Sequence, residues 1–108
     1  MNTELRNKIL TILENNYPNM IKPYSLRKIL NVERNKVSEF NKIIFFLKDS
    51  ELIKSMEFPV ETRSVNVISI TPKGIQYLED QKRLENEWYL QIIHGVIGLI
   101  KKWVNPLL

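Results

Sequence analysis

The sequence predicts a mainly α-helical domain carrying one small β-hairpin, and three observations point there. Three successive stretches place apolar residues at helical spacing. Two short runs rich in Val and Ile follow, and the second ends on Thr71-Pro72, a pair suited to starting another helix. With 108 residues the chain accommodates one such domain and a single appended element.

The first stretch, Thr3 to Asn16, lines up Leu5, Ile9, Ile12 and Leu13 on one stripe with Leu10 at its margin. Thr3 is the candidate N-cap, and Pro18 disfavours helical backbone at Tyr17, which ends the helix. Ser25 is the candidate cap of a second, short helix, Leu26 to Asn31, whose apolar face is Leu26, Ile29 and Leu30. A third run, Asn35 to Lys48, buries Val37, Phe40, Ile44 and Leu47, with Ile43 beside them. Its opposite side carries Arg34, Ser38, Asn41, Lys42 and an ill-fitting Phe45. Two helices joined by a tight turn, the second polar and basic on its free side, match a helix-turn-helix; a plain three-helix bundle has the same spacing.

An extended stretch then runs from Leu52-Ile53 to Phe58, Pro59 to Thr62 reads as a turn, and Ser64 to Ile70 as the return strand. The apolar positions Val65, Val67, Ile68 and Ile70 slip by one residue, as a bulge or a change of buried face would cause. Thr71 suits an N-cap and Pro72 the first helical position, where a missing N–H costs nothing. Gly74 permits close approach to a neighbouring backbone.

Charge is unevenly spread. The net charge is +4, yet residues 22–48 hold seven bases (Lys22, Arg27, Lys28, Arg34, Lys36, Lys42, Lys48) against Glu33 and Glu39, a local balance of +5. Residues 74–108 balance to zero. A basic stretch on a neutral remainder suits a polyanion, although a merely solvated helix face has the same composition.

Two segments carry a family resemblance: FNKIIFFLKDSELI over residues 40–53 and ISITPKGIQYL over 68–78. They resemble the winged helix-turn-helix regulators of bacteria, archaea and their phages, MarR-like and PadR-like members among them. The first is similar to the end of the recognition helix running into the wing, the second to the wing's exit strand and the next helix. With the upstream helices the resemblance covers residues 4–80. One departure is Glu51, where the family usually has Gly, so the turn there is built differently or carries strain.

The resemblance implies double-stranded DNA as partner and a transcriptional role. It places a recognition helix at about 35–47 in the major groove and a wing at about 58–64 on the minor groove or phosphates. The matching outward residues are Asn35, Lys36, Ser38, Glu39, Asn41 and Lys42. Asn41 suits adenine, Lys42 guanine, and Ser38 either a base or a phosphate. Arg27, Lys28 and Arg34 suit phosphates, and Arg63 is the wing's contact.

The division expected is a winged domain over 1–80 and an amphipathic C-terminal helix over 81–108. In that tail Gln91, His94, Gly95, Gly98, Lys101, Lys102 and Asn105 fall on one narrow face, and apolar residues cover the rest. So wide an apolar surface calls for burial, and three partners fit. A second copy can pair through Trp88, Ile92, Val96, Leu99, Ile100 and Trp103, giving a homodimer. The helix can fold back on its own domain. Or it can lie in a membrane surface; the uncharged run Trp88–Ile100 is 13 residues, too short to span one.

Catalysis finds little support. His94 is the only histidine, there is no cysteine, and the three glycines form no phosphate-binding loop. No cofactor or metal is expected. The absence of cysteine and the polar N-terminus fit a cytoplasmic protein. A second reading keeps the scaffold and drops the DNA: an interaction or membrane-surface adaptor, favoured by Phe45, Phe46 and the apolar tail.

Overall fold

The computed structural model describes residues 2–84. Their order is α1 (Thr3–Asn16), α2 (Pro23–Leu30), a 3-10 turn (Arg34–Lys36), α3 (Val37–Asp49), β1 (Ile53–Val60), β2 (Arg63–Ile70) and α4 (Pro72–Leu84). The mainly helical chain with one antiparallel hairpin is the class expected. The C-terminal helix and its contact residues Trp88, Ile92, Val96, Leu99, Ile100 and Trp103 lie outside the described residues.

Helix α1 is the centre of the packing. It buries Asn7 and Thr11 along with Ile9, Leu10, Ile12 and Leu13, so Leu10 belongs to the core and not to its margin. A helix covered this broadly has neighbours on several sides, and α1 meets α2, α4 and β2. The Thr11 hydroxyl is satisfied within the helix, donating to the Asn7 carbonyl at 2.7 Å. The cap is Asn2, one residue before the expected Thr3; its side-chain oxygen accepts from the Leu5 N–H at 3.0 Å.

Helix α2 starts at Pro23, two residues before Ser25, because proline itself supplies the helical φ at the first position. It ends at Asn31 in the left-handed region (φ 53°), with the Val32 N–H bonded to the Arg27 carbonyl at 3.0 Å. In α3 the buried line is Phe40, Ile43 and Leu47; Val37 and Ile44 are half-buried, so the stripe is centred one position away from the expected one.

The end of α3 is a Schellman turn. The Leu52 N–H reaches the Leu47 carbonyl at 2.9 Å and the Glu51 N–H reaches Lys48 at 3.0 Å, while Leu47 and Leu52 are both buried. Its left-handed position is occupied by Glu51 at φ 63°, so the departure from glycine seen in the sequence is a strained backbone site.

The hairpin register is regular, from Ile53 opposite Ile70 to Val60 opposite Arg63, with a two-residue loop at Glu61-Thr62. There is no bulge, and the slipped alternation is a change of buried face. Ile53, Ile68 and Ile70 point into the core where the hairpin is rooted. Further out the same face turns polar (Glu57, Asn66, Ser64), and the apolar residues Met56, Phe58, Val65 and Val67 occupy the other side. Ile21 adds a short third strand position by exchanging two backbone hydrogen bonds with Ile68.

Helix α4 grips the root of the hairpin. The Thr71 hydroxyl accepts from the Gly74 N–H at 3.0 Å and lies 2.7 Å from the Glu51 carbonyl, to which it donates. A Cβ on Gly74 would fall inside the Leu52 carbonyl oxygen and only 2.7 Å from Ile70 Cγ1, so the close approach read from the sequence is real. At its far end Lys82 is half-buried and pairs with Glu14 of α1 at 2.9 Å. That ion pair ties the last described turn of α4 to α1.

Candidate nucleic-acid interface

Helix α3 is held on one side only. Phe40, Ile43 and Leu47 fix it against the core, and at 100° per residue the direction opposite them is occupied by Ser38 and Phe45, flanked by Asn41, Lys42 and Asp49. All five are exposed. Ser38, Asn41, Lys42 and Phe45 line one open concavity together with half-buried Val37. Side chains presented this way are free to meet a ligand broad enough to receive a helix.

The basic residues fall into separate places around that face. Arg34, Asn35 and Lys36 are exposed on the 3-10 turn that leads into α3, not on the helix itself. Lys36 borders a different groove, shared with Asn2, Glu4, Lys8, Glu33 and Glu39. The structure thus groups Ser38, Asn41 and Lys42 and sets Lys36 apart from them. On α2, exposed Lys28 lies 5.3 Å from the Tyr24 ring centre. Arg27 is half-buried, with its guanidinium 5.6 Å from the Phe40 ring and 5.8 Å from Tyr24. Such packing holds Arg27 at the base of the site and ties α2 to α3. Arg63 is exposed at the first position of β2, beside the hairpin loop.

One residue here has no part in the sequence reading. Tyr24 is exposed in the first turn of α2, where it stacks both cations; an aromatic four residues before Lys28 was the available signal. Phe45, the apolar residue on the otherwise polar side of this helix, sits at the middle of the free face.

Comparison with solved structures gives the architecture a name. A transcriptional regulator from Clostridium thermocellum matches with a TM-score of 0.61 at 23% identity, over 94% of this chain and 89% of that one. MarR from E. coli in its apo form matches at 0.61 and 18% identity, over 92% and 76%. The fold is a MarR-like winged helix. A MarR variant complexed with operator DNA matches the same winged helix at 0.60 and 17% identity, over 92% and 73%. No family model matches the chain, and no curated protein matches it in sequence. In winged-helix terms α2 and α3 are the helix-turn-helix and the hairpin is the wing. Among the described residues no helix is long and apolar enough to cross a membrane, and no cluster of side chains suits a metal ion.

Proposed function

We propose that this protein is a transcriptional regulator that binds double-stranded DNA as a homodimer and catalyses no reaction. The observation that carries the proposal is the free outer face of α3, with Ser38, Asn41 and Lys42 grouped on it and no other described element over it. That face enters the major groove, Asn41 pairing with adenine and Lys42 with guanine, while Ser38 takes a base or a phosphate. Lys28, Arg34, Asn35 and Lys36 bear on the phosphate backbone, and Arg27 supports them from beneath Tyr24. Arg63 reaches the adjoining minor groove or its phosphates from the wing. Residues 81–108 form the dimerisation element, which sets two copies of α3 one turn of duplex apart. The MarR relative solved on operator DNA supports this reading by analogy of fold.

The test is gel retardation of duplex DNA by the full chain. Retention at low salt with affinity falling steeply as salt rises is expected, as counterion release requires. Arg34→Glu with Lys42→Glu lowers affinity roughly tenfold or more. Unchanged binding by that double variant overturns the assignment of the site.

A second reading, an interaction adaptor on the same scaffold, is favoured by the outer face of the wing, where Met56, Phe58 and Val60 are exposed together. It predicts no retained DNA at any salt concentration.

A further inference from the structure

Phe45 is the most exposed large hydrophobic residue described, at 70%. A core role is ruled out by its position: it points opposite Phe40, Ile43 and Leu47. Its helical neighbours at three and four residues are Asn41, Lys42, Lys48 and Asp49, all polar and exposed. It is thus a single aromatic ring set among hydrogen-bonding groups, too small a patch to seat a protein partner by itself. Phe46, one residue on, is 39% exposed and turned about 100° around the helix from it, toward a different side.

An isolated apolar group on a face that otherwise offers hydrogen bonds fits a surface with one isolated apolar feature. The major groove presents a methyl only at thymine, where it projects from C5 beside the acceptor O4; cytosine has a bare C5–H at that place with its amino donor beside it, and purines offer N7. We propose that Phe45 is a specificity residue that packs its ring on a thymine methyl. This rests on the DNA-binding reading above and adds a base preference to it. Phe45 follows Asn41 by one helical turn, an advance of about 6 Å along the axis, which corresponds to about two base steps. The thymine therefore lies within about two base pairs of the adenine that Asn41 pairs with.

The experiment uses duplexes enriched by the full-length chain from a random library, with each thymine replaced in turn by uracil, which removes the methyl and nothing else. At one thymine per half-site the wild-type chain loses about fourfold in affinity, the worth of one buried methyl-sized group. Phe45→Ala binds the thymine and uracil duplexes equally, and Phe45→Leu keeps part of the difference. Because the ring is exposed, circular dichroism melting shows both variants folded. Uracil tolerated at every position, or a penalty that persists in Phe45→Ala, overturns the role of Phe45 and leaves DNA binding intact. Failure to enrich any duplex refutes the DNA-binding reading, and this inference falls with it.

Discussion

Replacing Gly74 with alanine separates the tertiary account of this fold from a purely local one. In a solvent-exposed helix the change is stabilising by about 1 kcal/mol, since alanine is the better helix former. Here the new Cβ would overlap the Leu52 carbonyl oxygen and sit 2.7 Å from Ile70 Cγ1 and 3.1 Å from the Leu52 carbonyl carbon. Two of those atoms are backbone, so the helix must move. Overpacking of this kind costs about 1–3 kcal/mol. The movement also stretches the bonds from Thr71 to the Glu51 and Leu52 carbonyls, 2.7 and 3.1 Å long, and the loss of one adds about 1 kcal/mol. With the helix-propensity gain set against these, Gly74→Ala is less stable by about 1–3 kcal/mol, or roughly 4–24 °C in Tm for a domain of this size. Thermal melting by circular dichroism measures it, with exposed Lys73→Ala as a control that stays within about 0.5 kcal/mol. An unchanged or raised Tm for Gly74→Ala refutes the proposed seating of α4 on the hairpin root.

Other substitutions probe the remaining joints. Glu51→Gly relieves the left-handed φ of 63° and raises stability by about 0.5–1 kcal/mol, read from urea midpoints; a loss would mean that the turn does not hold that conformation. Lys82→Met strands the half-buried Glu14 carboxylate and costs about 1–2 kcal/mol, of which adding Glu14→Gln recovers part; no recovery would mean that the loss does not come from Glu14. On the proposed dimerisation through residues 81–108, Ile92→Glu with Leu99→Glu in the full chain is expected to turn a dimer into a monomer in sedimentation velocity. A monomeric wild type that binds anionic vesicles would point to the membrane surface instead.

Most of the architecture was legible because it rests on periodicity. The stripes Ile9–Leu13 and Phe40–Leu47, the Val- and Ile-rich runs and Thr71-Pro72 each report a local property of the chain, and each lies in the element it suggested. Details set by tertiary packing were less accessible. Ile21 pairs with Ile68 across 47 residues, and nothing in its neighbourhood announces a strand. Leu10 is buried because α1 is covered on several sides, which a one-face stripe cannot reveal. The cap moved to Asn2 because an asparagine one residue earlier competes with Thr3 for the same role. At the site, exposure of Asn41 and Lys42 followed from helical phase, whereas the setting apart of Lys36 did not. Phase does not carry through the change from a 3-10 turn to an α-helix at Lys36–Val37.

The central claim is that the outer face of α3 occupies a major groove, and methylation interference reads that contact directly. Dimethyl sulfate marks guanine at N7 in the major groove and adenine at N3 in the minor groove of a retained duplex. The account predicts that guanine methylation blocks binding in two patches about ten base pairs apart, with adenine methylation interfering just beside each where the wing lies. Guanine methylation without effect, on a duplex the chain demonstrably retains, would contradict it.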